Sequence, residues 1–241
     1  MIVADSRQAN RLQNVDPQGE GNITAKASSP TRALLLCGAI AGPLFILTLL
    51  IQDYTRPGFD PRQDALSLLS LGDWGWVQIV NFGLAGILNL LYAVGLWRRL
   101  HGGRGGTWGP ILIGAYGLGL VVVSVFRTDP ANGFPPGVPA VTQPSWHGAI
   151  HALGALFVFV MLSAALAVFV RLFLAWNERW WALYSLASAV LFLLIFFTGF
   201  ANAAITARTL RLAVFIGWMA ASLVAIKLLN TPDTARQTQD Q

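Results

Sequence analysis

The sequence predicts an all-α polytopic membrane protein, a bundle of six transmembrane helices with a short outer interfacial helix. Three observations carry this. Six long apolar stretches, at about residues 33–52, 74–97, 108–126, 147–170, 180–201 and 212–229, have no Lys, Arg, Asp or Glu in their interiors. Each can cross a hydrocarbon core of ~30 Å, which takes roughly 20 helical residues. Only 11% of the 241 residues are charged, against about a quarter in an ordinary soluble domain. Tryptophan sits at the boundaries: all but Trp218 lie near the ends of the stretches, where an amphipathic ring prefers the headgroup region.

Basic residues orient the bundle. With the N-terminus in the cytoplasm, the inside segments hold eleven Lys and Arg (residues 7, 11, 26, 32, 98, 99, 104, 171, 179, 227 and 236). The outside segments hold five (56, 62, 127, 208 and 211). This positive-inside bias places both termini in the cytoplasm. It also accounts for the pI near 10. No basic cluster interleaves with aromatics, so nucleic acid is not an expected partner.

Residues 1–32 are polar, lack a signal-peptide core and are expected to form a disordered cytoplasmic tail. The transmembrane domain then covers 33–229, and a second cytoplasmic tail covers 230–241. Cys37 is the only cysteine, so no intrachain disulfide forms, and in the first span it reads as a small packing residue. Gly38-x3-Gly42 in the same span lets another helix approach closely, either within the bundle or from a second copy in a homo-oligomer.

After the first span, Asp60-Pro61 is a helix start and Gly72 a stop. Between them leucines mark one side, while Asp64, Ser67 and Ser70 recur on the other. The pattern predicts an amphipathic helix over 61–71, folded over the outer mouth with Asp64 and Ser67 turned inward. Span two carries Gln78, Asn81 and Asn89, amides expected to bond across helices. The glycine-rich basic turn 98–106 follows no strand, so it is a poor phosphate loop. It reads instead as a contact for anionic headgroups of membrane lipids. The second outer loop, 130–145, is rich in proline and expected to lack regular structure. Pro144-Ser145 opens span four.

The candidate site lies at the outer end. His147 and His151, at i and i+4, rise from one helix face about 5–6 Å apart, a spacing that suits two ligands of one metal. Asp64, Asp129 or Asp53 would add an oxygen ligand, and zinc is the metal the set would take. The plainer alternative is that the histidines bond to those aspartates and hold loops on the bundle. Asp64, Ser67, Asp129, His147 and His151 are expected to converge in one polar pocket. Arg127, Arg208 and Arg211 are placed to meet a phosphate.

Several of these segments carry a family resemblance. They are Asp64-Ala65-Leu66-Ser67-Leu68-Leu69-Ser70-Leu71-Gly72, Asn81-Phe82-Gly83, Phe126-Arg127-Thr128-Asp129-Pro130 and His147-Gly148-Ala149-Ile150-His151. The chain resembles domain-of-unknown-function family 998 of bacterial and archaeal membrane proteins, over about 33–229. The resemblance implies a six-helix bundle in the plasma (inner) membrane of a prokaryote and brings no activity. A looser likeness runs to the alkaline ceramidase and adiponectin-receptor superfamily, membrane hydrolases that place a Ser, an Asp and His-x3-His around zinc. This chain departs from them in having six spans and no third outer histidine, and its pair is not on the final span.

Three functions compete. The first is a binding protein whose outward polar pocket takes a lipid headgroup or small amphiphile, or docks a partner. The second is a metal-dependent membrane hydrolase of a lipid ester or amide. The third is a small transporter, disfavoured because no ionisable residue sits at mid-membrane. The sequence does not decide whether the chain is an enzyme. The topology is directly checkable: reporter fusions after residues 104 and 175 should report cytoplasm, and fusions after 60 and 138 the outside. The reverse pattern would invert the molecule and move the candidate pocket to the cytoplasmic face.

Overall fold

The computed structural model describes residues 29–139, 141–202 and 204–231. Six helices run in order: α1 (Ser29–Thr55), α2 (Gly75–Leu100), α3 (Trp108–Val125), α4 (Trp146–Ala175), α5 (Arg179–Ala201) and α6 (Thr206–Asn230). All six are long and apolar enough to cross a membrane, and each covers its expected apolar run to within a residue or so. The expected tails lie outside the described residues, apart from the first turn of α1 and the end of α6. Trp74, Trp76, Trp97, Trp108, Trp146 and Trp180 are exposed at the helix ends, as residues of a membrane-interface belt are.

Each helix packs on its neighbours in sequence, and α6 returns to pack on α1. The six therefore form a closed ring. Lipid is as apolar as leucine, so close packing and interhelical hydrogen bonds must hold such a ring together. The α6–α1 seam uses both. A Cβ on Gly42 would fall 2.5 Å from the Trp218 carbonyl oxygen and 2.5 Å from Ser222 Oγ. In that space the Ser222 hydroxyl accepts from the Gly42 N–H (3.1 Å) and donates to the Gly38 carbonyl (2.9 Å). The other face of Gly38 meets the ring of buried Tyr92 on α2. The Gly-x3-Gly pair thus packs two helices of its own chain against α1.

The amides of span two divide. Gln52 Nε2 on α1 donates to Gln78 Oε1 (2.7 Å), and Asn81 Nδ2 donates to the Phe45 carbonyl (3.1 Å). These are the expected bonds across helices. Asn89 bonds only within its own helix, to the Ala85 carbonyl (2.8 Å).

Every helix sends an aromatic ring to the middle. Trp218 of α6 meets Phe45 of α1 (5.4 Å between centroids), Tyr116 of α3 (5.3 Å), Phe159 of α4 (6.3 Å) and Phe192 of α5 (6.3 Å). Phe82 of α2 joins through Phe45 at 5.3 Å. Phe159 also stacks on Phe196 at 3.8 Å. These rings plug the axis of the bundle.

The loops 56–74 and 126–145 and the α5–α6 turn share one end of the ring, called here the loop end. The segment after α1 differs from the amphipathic helix expected over 61–71. Residues 60–64 make a single turn, Ala65 is extended, and a 3-10 helix follows at Leu66–Ser70. At the break the Asp64 Oδ2 turns back to accept the Asp60 N–H (2.8 Å). The leucines at 66, 68, 69 and 71 are all buried, and so is Ser70. With apolar groups on every side, the segment sinks into the bundle, against α2 and α6, and does not lie on its surface. Gly72 ends it at φ +70°, as expected of a stop.

The second loop has no helix but is far from loose. Asn132-Gly133, both at positive φ, form a two-residue hairpin turn closed by paired bonds between Ala131 and Phe134, the turn chemistry that Asn-Gly favours. Phe134 is buried edge-on to Phe59 of the first loop (5.2 Å, 80°), and Asn132 Nδ2 donates to the Gln63 carbonyl (2.8 Å). The two loops form one cap.

Two glycine substitutions test the seam. Gly42→Ala should cost about 1–3 kcal/mol through overpacking, lowering the thermal midpoint in detergent. Gly114→Ala, whose Cβ would meet only Ala93 at an ordinary 3.6 Å, should be close to neutral. Equal midpoints for the two variants would contradict the seam.

Candidate functional site

A cavity of about 200 Å³ lies between the aromatic plug and the cap. Phe45, Phe82, Phe159 and Trp218 line its plug side. Leu66 and Ser67 come from the 3-10 helix, Thr128 from the second loop, His151 from α4 and Thr206 from α6. Small residues of α4, Ala152 and Ala155, leave the space open opposite Phe196 and Gly199 of α5. The result is an apolar chamber with a few polar groups toward the loop end, the usual make-up of a small-molecule site.

His151 is the titratable residue of this lining. It is buried, and its Nδ1 lies 2.7 Å from the carbonyl oxygen of Phe126, the residue that ends α3. A carbonyl only accepts, so Nδ1 carries the proton and caps α3. In the neutral ring Nε2 is then an acceptor. The imidazole and the Phe82 ring meet edge-to-face at 6.3 Å.

Of the five residues expected to converge, Ser67 and His151 share this chamber. Asp64, Asp129 and His147 are not in its lining, although the Asp129 carboxylate lies near enough to His151 to act on its charge. Asp129 holds the start of α4: its Oδ2 accepts the Ser145 N–H (2.9 Å), its Oδ1 accepts the Ser145 hydroxyl, and Ser145 Oγ accepts the Gly148 N–H (3.0 Å). Gly148 is required there, since a Cβ would fall 2.1 Å from Asp129 Oδ2. A carboxylate suits the positive end of a helix, so Asp129 is accounted for as a helix cap. His147 is exposed and lies against Trp146 (3.7 Å) and Phe126 (5.7 Å). Asp64 is buried within the first loop and bonded to the Asp60 N–H.

The arginines divide as well. Arg127 is exposed. Arg208 is exposed beside Arg62 on a groove between α1 and α6, away from the chamber. Arg211, expected to be available to a phosphate, is occupied. Its guanidinium grips Asp53 with two bonds (Nε to Oδ2 3.1 Å, Nη2 to Oδ1 2.9 Å) and donates from Nη1 to the carbonyls of Pro61 (2.7 Å) and Asp64 (2.8 Å). It also lies over the Phe59 ring at 5.3 Å. The cap hangs on this side chain. On the other side of the cap, Arg56 donates to the Leu71 carbonyl and lies over Phe134 at 5.7 Å. Burial draws its guanidinium below the ordinary value, against the opposing charge of Asp73, but an arginine stays protonated.

The protein-family model described as Protein of unknown function (DUF998) matches residues 39–227. That range takes in α2 to α5 entire, most of α1 and α6, the cap and the chamber. The chain belongs to this family. No curated protein and no solved structure matches the chain. The DUF998 fold is thus seen here as a ring of six helices with its loops gathered over a central chamber.

Among the described residues, no group of three or more His, Cys, Asp and Glu side chains lies close enough together to hold a metal ion. The set His147, His151 and Asp64 is therefore not assembled as a zinc site. The physical reason is local. Asp64 closes a turn and the ring of His147 lies on Trp146 outside the chamber, so neither joins the Nε2 of His151.

Thr128, Thr206 and the aromatic floor were not singled out from the sequence as site residues. One signal did point to the floor: Trp218 is the only tryptophan well inside a span, where a belt residue has no reason to be.

Arg211→Ala should cost ~3–5 kcal/mol, because it leaves the buried Asp53 carboxylate unpaired, and should release the first loop. Limited proteolysis should then cut within residues 56–64, where the unaltered protein resists. Unchanged resistance would contradict the role given to Arg211.

Proposed function

We propose that this DUF998 protein is a membrane receptor or carrier for a small amphiphile, held in the central chamber. With both termini in the cytoplasm, the chamber faces outward. The observation that carries this reading is the chamber itself: about 200 Å³ left open between the plug and the cap, with aromatic rings on one side and hydroxyls and an imidazole on the other. A cavity of ~150 Å³ lined by apolar side chains accepts benzene. The occupant's buried part is thus one ring or a short chain of roughly six to eight carbons. Ser67 and Thr128 would donate to a hydroxyl, carbonyl or ether oxygen, while the Nε2 of His151 and the Thr206 hydroxyl, which already donates to the Gly199 carbonyl (2.7 Å), would accept from a hydroxyl.

Two observations favour binding over hydrolysis. Ser67 makes no hydrogen bond to His151, and His151 is oriented by a carbonyl where a nucleophile–base pair would use a carboxylate. The aromatic plug favours binding over transport, because Trp218 and its neighbours close the axis beneath the chamber.

Trp218 provides the readout. In detergent, 6-bromohexan-1-ol should quench part of the tryptophan emission saturably, through its heavy atom beside the indole. Ala155→Phe, which fills the chamber, and Trp218→Phe, which removes the reporter, should each abolish that saturable part. Quenching that is linear with concentration and indifferent to both changes would count against the chamber as a binding site.

A further inference from the structure

A second cavity, of about 580 Å³, lies at the opposite end of the ring, between the α2–α3 turn and the end of α4. Its lining includes Arg104, Thr107 and Trp108 from the turn side and Val168, Arg171 and Leu174 from α4. We propose that this cavity binds the phosphate of an anionic glycerophospholipid, with the acyl chains passing out over Trp108 and Leu174.

The charge distribution is the first argument. Among the described residues, Asp53, Asp60, Asp64, Asp73 and Asp129 all lie at the loop end. Glu178 is the acidic residue of the opposite end, and Lys227 takes it at 2.6 Å. Arg104 and Arg171 come from different elements, face one cavity and have no carboxylate in its lining. Neither has an ion-pair partner among the described residues. Two guanidinium groups on a shared concavity are suited to the oxygens of one phosphate.

The second argument is that the turn carrying Arg104 is built. Gly103 N–H bonds the Leu100 carbonyl (3.0 Å), Gly106 N–H bonds the Gly103 carbonyl (3.1 Å), and Gly109 N–H bonds the Gly105 carbonyl (3.0 Å). A Cβ on Gly106 would fall 2.0 Å from the Leu100 carbonyl oxygen. The glycines therefore fold the turn back and present Arg104 toward α4.

The third argument selects a lipid over free phosphate. Trp108 and Leu174 are 64% and 57% exposed beside the arginines, at the level where helix ends meet the headgroups. A soluble anion would leave them idle, whereas a lipid covers them. Basic pockets between helix ends are suited to anionic headgroups.

The full chain, extracted and exchanged into equal phosphatidylglycerol and phosphatidylcholine, would be examined by native mass spectrometry. Phosphatidylglycerol should be retained with about tenfold preference. The preference should fall to near unity in the Arg104→Gln, Arg171→Gln double variant and persist in Arg179→Gln, a control at the same end outside the cavity. If the double variant fails to fold, Arg104→Gln alone, on an exposed turn, should still reduce the preference severalfold. Inorganic phosphate at millimolar concentration should not displace the lipid; displacement would overturn the lipid assignment in favour of a free phosphate anion. Equal retention of both lipids by the unaltered protein, or a preference surviving the double variant, would overturn the site.

Discussion

The return of α6 onto α1 is the contact on which the rest of the molecule depends. Of the six pairs around the ring, five join neighbours in sequence, so short connections alone would bring them together. Without the sixth pair they would form an open row with no interior. Two devices close it. Deep in the ring, Ser222 occupies the space that Gly42 leaves free and bridges the α1 backbone. At the loop end, Arg211 and Asp53 clasp the same two helices with paired bonds. A medium without a hydrophobic drive between helices leaves such work to small residues and hydrogen bonds.

Closure creates both the plug and the chamber above it. Once α6 is seated, Trp218 stands at the axis and gathers rings from the other helices. The chamber is what remains between this plug and the cap, which can cover it because Arg211 also takes the carbonyls of Pro61 and Asp64. The same side chain thus joins the ring, the first loop and the roof of the chamber. Loop backbone at the edge of a membrane needs hydrogen-bond partners, and Arg211, Arg56 and Asn132 supply them here.

The two ends of the molecule differ in chemistry. The loop end gathers the aspartates, pairs Asp53 with Arg211, sets Asp60, Asp64 and Asp129 in turns and a helix cap, and keeps hydroxyls and one histidine for its chamber. The opposite end leaves two arginines facing a cavity with no acidic residue in its lining. An uncharged amphiphile suits the first and an anionic headgroup the second, so the two sites would select different molecules from the membrane.

The apolar runs, the tryptophan belt, the stop at Gly72 and the helix opening at Ser145 were legible in the sequence. Each depends on local length, hydrophobicity or turn chemistry, which a linear string records directly. The close-packing role of Gly38 and Gly42 was legible as a type of contact but not as a choice of partner. The pairing of His147 with His151 misled, because a shared helix face does not fix where side chains turn. Phe126, set at the end of α3, draws one imidazole inward by its carbonyl, while Trp146 and the Phe126 ring flank the other outside. The short segment at 61–71 misled for a similar reason, since its leucine pattern fits an amphipathic helix until the space between α2 and α6 offers burial on all sides. Which aspartates pair with backbone, which arginine is occupied and where a cavity survives are all outcomes of how six helices close. Only tertiary structure decides them, because each depends on groups distant in sequence, such as Asp53 and Arg211, arriving at the same place.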